Sequence, residues 1–232
     1  MSGHRCRGAV RMASLLVCVM PLSVAGGLLA QPEDETAEII GKMRAVYANM
    51  EAYQMDTEVR VYREGRLKEV ERFRYTFKKP DHIRIDMEAP HSGLVLIYPD
   101  NSGKVFMKPG GLVGFLKLHL SPDNALLMSP AGQRIDQTDV GSLINNMARS
   151  LTVGRRGEIK VSEHGEEVLI EVTSEDHFLA GVTTLYRFLI DKRLWIPVGV
   201  SEFTPDGIPK REILFRNLRT PADTSDRFFG TD

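Results

Sequence analysis

The feature that most constrains this chain is a change in the spacing of its apolar residues. From Met55 onward, apolar and polar residues alternate one by one, as in the run with Phe73, Tyr75 and Phe77 on one face. This alternation is typical of antiparallel strands with one buried and one solvated face. It predicts strands at 55–62, 72–77 and 83–88. Residues 94–98 are continuously apolar and predict a strand that can be covered on both faces. Further strands are predicted at 104–107, 158–163, 167–174, 183–191, 196–203 and 210–217.

Two other segments repeat their apolar residues every three or four positions, which predicts amphipathic helices. Residues 109–135, between the first strands and the second helix, are rich in Pro and Gly. They are predicted to be a loop with one short strand at Leu116, Leu118 and Leu120.

The first of the two helices begins at Thr36 and carries Ile39, Ile40, Met43, Val46, Tyr47 and Met50. The second follows polar residues 137–139, which suit a helix cap, and carries Val140, Leu143, Ile144, Met147 and Leu151.

The order helix, strands, loop, helix, strands predicts a mainly β fold with added α-helices. One wide, curved antiparallel sheet accounts for this order, in the form of an incomplete β-barrel with the helices covering its concave face. Residues 31–232 then form a single domain, which is long enough to bury a sizeable core.

The N-terminus has the order of a secretory signal peptide. Arg5, Arg7 and Arg11 precede a short apolar run from Met12 to Leu22, and small residues follow. Cleavage after Ala25 fits the small-x-small rule best, so the signal spans 1–25, with 1–30 as the alternative. A membrane anchor is disfavoured because a spanning helix needs about 20 apolar residues. We expect a periplasmic protein.

Both cysteines of the chain, Cys6 and Cys18, lie inside this predicted signal. Cys18 follows Val17 and is itself followed by apolar residues, which argues against a lipidated cysteine. The mature chain therefore has no thiol for a disulfide or a thiolate metal site. The chain has 30 basic and 31 acidic residues, so loss of the three signal arginines leaves it slightly acidic and unsuited to nucleic acid.

Polar residues provide no recognisable catalytic or metal-binding motif. The five histidines after the signal have no metal-ligand spacing, and we expect them to be scattered and solvated. The carboxylate pairs at 34–35, 166–167 and 175–176 fall in turns or helix starts without sign of shelter. We expect no enzyme, no cofactor and no metal. The histidines are His82, His91, His119, His164 and His177.

The strongest pattern is instead the apolar face of the first group of strands. Two interpretations of this face remain open. Its side chains either pack entirely beneath the helices, or the sheet curls so that an apolar cavity remains with the helices as a lid. Methionines at Met43, Met50, Met87 and Met147 favour the cavity, since methionine adapts to variable contacts.

Several stretches resemble the periplasmic outer-membrane lipoprotein carriers called LolA. These are residues 77–85, strand 94–98 and turn 100–103, together with 194–198 and 203–218 near the C-terminus. The stretches at 89–93, 120–122 and 133–144 are closer to an uncharacterised branch of that superfamily. The resemblance covers about residues 36–220, and it depends on the order of weak motifs.

The resemblance implies an incomplete barrel closed by helices, with a cavity for acyl chains. The carriers place an arginine before the proline that ends the early strand, where it helps to hold the lid. This chain has Lys79 there, and lysine lacks the planar fork of arginine. Lys79 is thus the expected lid latch, of a weaker kind.

We therefore expect a monomeric periplasmic binding or carrier protein for acyl chains of lipids or lipoproteins. Its further partners would be lipoprotein-handling proteins of the inner or outer membrane. The alternative is an envelope-stress sensing module of the same fold that binds a membrane regulator. The expected cavity wall is Phe73, Tyr75, Phe77, Ile83, Ile85, Met87, Leu94 and Leu96. The expected lid is Met43, Val46, Tyr47, Leu143, Ile144 and Met147.

Overall fold

The computed structural model describes residues 32–129, 132–154 and 159–231. The predicted signal peptide and its cleavage site lie outside these residues. Two helices and eleven strands occur in the described part. They are α1 (Pro32–Ala48), β1 (Ala52–Arg63), β2 (Arg66–Lys78), β3 (His82–Ala89), β4 (Val95–Tyr98), β5 (Val105–Lys108), β6 (Leu118–Leu120), α2 (Val140–Val153), β7 (Lys160–His164), β8 (Glu167–Glu175), β9 (Thr183–Asp191), β10 (Ile196–Phe203) and β11 (Pro209–Arg219).

The described strands form one antiparallel sheet in the order β6-β5-β4-β3-β2-β1-β11-β10-β9-β8-β7. Each half is a meander, and the pairing of β1 with β11 joins the halves at the centre. The sheet is curved and open, since β6 and β7 at its two edges do not pair with each other. The predicted fold class is confirmed, and each predicted strand and helix is present with small changes in its bounds.

The largest change in bounds is in the first hairpin, where β2 begins at Arg66 instead of residue 72. The strands continue to Arg63 and Arg66, which face each other across the turn. Glu64 and Gly65 in that turn both have positive φ, at 52° and 71°. Positive φ at both central residues is the geometry of a tight hairpin turn that matches the twist of the flanking strands. The turn therefore extends the pairing beyond the alternating apolar residues.

The helices cover the half of the inner sheet face that belongs to the second meander. Helix α1 packs on α2, β7 and β10, and α2 packs on β8 and β10. Met43 of α1 and Met147 of α2 are fully buried there, together with Phe188 of β9. No described helix combines the length and apolar character that crossing a membrane requires.

The start of α2 is fixed to α1 and β1 by three polar side chains. Asp139 caps the helix by accepting from the Ser142 backbone N–H at 3.1 Å and from its hydroxyl at 2.5 Å. The Tyr47 hydroxyl donates to Asp139 Oδ1 at 2.8 Å. The Val140 N–H donates to the Tyr53 hydroxyl at 2.8 Å. These bonds satisfy backbone donors that a helix start leaves unpaired, and they set the angle at which α2 meets the sheet.

Replacing Asp139 by Ala removes the cap and leaves the Tyr47 hydroxyl without its acceptor. We expect the free energy of unfolding to fall by about 2 kcal/mol, the upper part of the range for helix caps. Chemical denaturation of the purified variant measures this loss. Asp136→Ala is the matched control, because Asp136 only pairs with Arg134 at the surface. Equal losses for the two variants would contradict the role given to Asp139.

Candidate functional site

An apolar cavity of about 330 Å³ lies against the inner face of the first meander and the central strands. Its volume is within the usual range for small-molecule sites, about 300–1,000 Å³. Six of the predicted wall residues line it: Phe73, Tyr75, Ile85, Met87, Leu94 and Leu96. They come from β2, β3 and β4 and the residue before β4, at alternate positions on one face of the sheet.

Two predicted wall residues, Phe77 and Ile83, lie in the packed core and do not line this cavity. They pair with each other across β2 and β3. The ring of Tyr53 stacks on Phe77 with centroids 5.2 Å apart, and Tyr47 of α1 approaches it at 6.4 Å. The end of α1 therefore fills the space at this end of the face.

The predicted lid residues are distributed between the cavity and the core. Leu143 lines the cavity, whereas Met43, Ile144 and Met147 belong to the core under the helices. Val46 and Tyr47 are partly buried against that core.

Much of the cavity's cover comes from the segment before α2, for which the sequence pattern predicts a loop and no role in the site. Leu126, Leu127, Met128 and Ile135 of this segment line the cavity. The sequence contains one indication of this role, which is the run of three apolar residues at 126–128 in a stretch rich in Pro, Gly and polar residues.

Lys79 contacts the C-terminal end of α1. Its ammonium donates to the carbonyl oxygens of Tyr47 at 3.1 Å and Ala48 at 2.8 Å, and it lies 5.2 Å from the Tyr47 ring centroid. The last carbonyls of a helix lack intrahelical partners and attract cations. This is the contact that a latch on the first helix would make, and the effect of Lys79 on opening stays a prediction.

The cavity also has polar groups that the sequence pattern did not identify. Arg211 and Glu202 face each other on β11 and β10 and form a double contact, at 2.5 Å and 3.2 Å. Both line the cavity although they are only 6% and 4% exposed. Glu71 of β2 also lines it, and burial raises the pKa of its carboxyl group. The alternating pattern could have identified Glu71, Glu202 and Arg211, because all three occupy inward positions of their strands.

The expectation of scattered, solvated histidines is wrong for His177. Its ring stacks on Tyr186 with centroids 4.2 Å apart, and its Nε2 lies 2.6 Å from the Ser150 hydroxyl of α2. Burial, with the nearby Arg149 guanidinium, lowers the His177 pKa to about 4. His177 is thus neutral near pH 7 and joins α2 to the segment after β8.

The carboxylate of Asp176 is also sheltered, against expectation. It accepts from the backbone N–H groups of Phe178 and Leu179 and from the Thr184 hydroxyl, and Lys210 pairs with it at 3.0 Å. These donors outweigh burial and lower the Asp176 pKa to about 2. A carboxylate held in its charged form does not serve as a general acid. In the described part of the chain, no three His, Cys, Asp or Glu side chains are placed to hold a metal ion.

One buried hydroxyl in the cavity wall has no partner. Thr57 lies on β1 between Phe73 of β2 and Phe215 of β11, and all three residues line the cavity. Thr57 is 4% exposed, and its Oγ1 makes no hydrogen bond to any residue that the structure describes. A buried polar group without a partner costs about 1–3 kcal/mol, so this position is not optimised for the stability of the empty protein.

The chain is similar to solved structures that share its architecture at low sequence identity. An uncharacterised conserved protein from Thermus thermophilus is 10% identical, with 83% of this chain and 91% of that chain covered and a TM-score of 0.49. A DUF1329 family protein from Desulfovibrio piger is 11% identical over 87% and 98%, with a TM-score of 0.43. A LolA superfamily protein from Nitrosomonas europaea is 10% identical over 84% and 97%, with a TM-score of 0.39.

No protein-family model matches the sequence, and a search of curated proteins gives no match. The superfamily that the sequence motifs resemble is nevertheless among the similar structures. Identities near 10% concern the fold only, so the function has to be argued from the cavity itself.

The low pKa of His177 predicts a specific loss of stability in acid. Its folded-state pKa of about 4 lies below the ordinary value of 6.5, so its neutral form contributes stability above pH 6.5 that is lost as the pH falls to 4. We expect wild-type unfolding free energy to drop by about 2 kcal/mol more than that of His177→Gln over this range. Denaturant titrations at each pH measure the difference. Exposed His164→Gln should behave as wild type, and a wild-type slope in His177→Gln would refute the assignment.

Replacing Thr57 by Val keeps the shape of the side chain and removes the unpaired hydroxyl. We expect the variant to be more stable than wild type by about 1 kcal/mol, because the buried oxygen no longer goes without a partner. Thermal and chemical unfolding of the empty protein test this. Thr184→Val is the contrasting control, since the Thr184 hydroxyl bonds Asp176 and Lys210 and its loss should destabilise. A destabilised Thr57→Val would mean that the hydroxyl has a partner.

Proposed function

We propose that this protein binds acyl chains of lipids or lipoproteins in its cavity and carries them through the periplasm. The observation that carries the proposal is an apolar cavity walled by the inner face of the sheet and partly covered by the loop segment before α2. Its walls offer an acyl chain methylene contacts from several strands. Each buried methylene contributes about 0.8 kcal/mol, so about ten methylenes supply on the order of 8 kcal/mol before the costs of ordering.

A carrier must also release its cargo, and the composition of the wall supports this. Met55, Met87, Met107 and Met128 line the cavity. Methionine side chains are unbranched and adapt their shape to irregular contacts. The wall can therefore partly refill the space when a chain leaves, which reduces the free energy difference between loaded and empty states.

The cover of the cavity and the helices are held by different contacts. Leu126 and Met128 are exposed on one side while they line the cavity on the other. The helices are instead fixed by the Asp139 cap and by the bonds from Lys79 to the end of α1. We infer that the segment around 126–129 opens first, and that Lys79 limits how far α1 follows.

The proposal is tested by filling the cavity without disturbing the core. Leu96 of β4 is partly buried and lines the cavity, so Leu96→Trp should occupy part of the space. We expect its affinity for N-phenylnaphthylamine, an uncharged apolar fluorophore, to fall at least tenfold while thermal stability is retained. Leu67→Trp makes the same change at an exposed position of β2 away from the cavity.

Leu67→Trp should bind the fluorophore as wild type does. The proposal fails if the wild type binds no fluorophore, or if Leu96→Trp binds it as well as Leu67→Trp. Equal loss in both variants would also count against it, because the binding would then not depend on the cavity.

The second candidate is an interaction module that senses envelope stress by binding a membrane regulator. A specific observation favours it: the segment after β5 exposes large apolar side chains, with Leu112 98% and Phe115 79% exposed. Such a patch is typical of a surface that meets another molecule. This function does not need an empty cavity, so Leu96→Trp would leave it intact.

A further inference from the structure

The cavity changes character from apolar to polar along the strands that form it. In the register of β1 with β2, Met55 pairs with Tyr75, then Thr57 with Phe73, then Val59 with Glu71. The change is repeated on β11, where Phe215 lies opposite Thr57 and Ile213 opposite Val59, and Arg211 follows as the next inward residue. We call the end with Glu71, Glu202 and Arg211 the polar end. An elongated molecule with one polar group has a defined direction in such a site.

The charges at the polar end do not cancel. The guanidinium of Arg211 is held by both carboxylate oxygens of Glu202, so this pair has no net charge to offer. The Glu71 side chain has no ion pair and no hydrogen bond to any other residue that the structure describes. The charged groups near it are Glu69, His91 and Arg211.

Charged groups on other elements act on Glu71 without forming an ion pair with it. Burial and the carboxylate of Glu69 raise the Glu71 pKa, while His91 and Arg211 act in the opposite direction. His177, which also lines the cavity, is neutral above about pH 4. The polar end therefore places two carboxyl groups, Glu71 and Glu202, beside one guanidinium, which is already paired with Glu202.

We propose that the cavity binds amphiphiles that carry an ammonium group, with the apolar chain directed toward Tyr75 and the ammonium beside Glu71. This inference rests on the proposed function and names the class of its ligand. An ammonium supplies the missing cation and up to three hydrogen-bond donors. A carboxylate at the same place would meet a like charge in a partly desolvated site, which is unfavourable.

The unpaired hydroxyl of Thr57 is an independent sign that this wall was shaped for a ligand. It lies one inward position from Val59, and Val59 pairs with Glu71. Inward positions on a strand are about 6.6 Å apart. A polar atom about three bonds from the ammonium can therefore reach Thr57, as the phosphate ester oxygen of an ethanolamine head group would. A simple alkyl amine would leave Thr57 unpaired.

The ligand class is tested with three probes of equal chain length: dodecylamine, dodecanol and dodecanoate. Each displaces N-phenylnaphthylamine from the purified full-length mature protein at pH 7.5, and the displacement gives its affinity. We expect the amine to bind about tenfold more tightly than the alcohol, and the carboxylate to bind most weakly. Glu71→Gln should abolish the preference for the amine over dodecanol.

The matched control is Glu88→Gln. Glu88 is the next residue after cavity-lining Met87 on β3, and it faces the opposite side of the sheet, where it is exposed beside Arg74. This variant loses the same charge and should keep the full preference for the amine. Thermal unfolding of both variants verifies that each is folded.

The outcomes separate this inference from the proposed function. If none of the three probes binds, the proposed function itself fails. If dodecanol binds but dodecanoate equals or exceeds dodecylamine, or if Glu71→Gln keeps the preference, the acyl site stands and the ammonium assignment is overturned. Dodecylamine preference lost in Glu71→Gln and kept in Glu88→Gln supports the assignment.

A second pair of probes identifies the source of the ammonium group. Lysophosphatidylethanolamine and lysophosphatidylglycerol share chain and phosphate and differ in the terminal amine. Tighter binding of the first supports an ammonium-bearing lipid as the ligand, with a further loss in Thr57→Val. Equal binding of the two, with dodecylamine still preferred over dodecanol, supports simple amines in place of lipids.

Discussion

The structure depends on the pairing of β1 with β11, which are the first and last strands in the chain. Their antiparallel ladder runs from Gln54 and Arg219 to Val61 and Arg211. Without it, the chain would form two separate meanders, each with an exposed edge at β1 or β11. With it, inward residues from both ends of the chain share one wall. Thr57 thereby lies between Phe73 and Phe215, and Arg211 comes near Glu71.

The width of this single sheet explains why a cavity remains. Eleven strands about 4.8 Å apart span roughly 50 Å, whereas two packed helices about 10 Å across cover roughly 20 Å. The described helices lie over β7, β8 and β10, where Met147 and Phe188 complete a dry core. The inner face of β2 to β5 is covered mainly by the curvature of the sheet and the segment around Leu127, with Leu143 of α2 and His177 at one side. Apolar faces that the rest of a protein leaves uncovered are typical of binding grooves and interaction surfaces.

The sequence predicts this architecture because strands and helices are specified by the spacing of apolar residues within short stretches of the chain. Period-two alternation fixed which side of β2 and β3 faces inward, so Phe73 and Ile85 could be assigned to the wall without coordinates. The same alternation could not separate Phe73 from Phe77. Both occupy inward positions, and only the end of α1, which places Tyr47 near Phe77, decides that one lines a cavity and the other a core. That choice depends on contacts between residues distant in the chain.

The polar residues of the cavity escaped prediction for a related reason. A charged residue at an inward position interrupts the apolar pattern of its strand. The residue of opposite charge that stabilises it lies on another strand, as Glu202 does for Arg211. The histidines show the same effect, since the burial of His177 depends on α2 and β9 reaching it from separate parts of the chain. Local sequence therefore predicts elements and faces well, and predicts the chemistry of the enclosed space poorly.

Polar groups left unpaired in an apolar wall are informative because they oppose folding. A valine at position 57 would pack equally well and would not bury a lone hydroxyl, and an apolar residue at position 71 would extend the hydrophobic wall. Stability alone therefore favours other residues at both places. Arg211 and Glu202 differ from them because each satisfies the other, so this pair can be retained for structure. Arg211 and Glu202 therefore form the structural part of the polar end. The side chains of Thr57 and Glu71 remain available to a ligand.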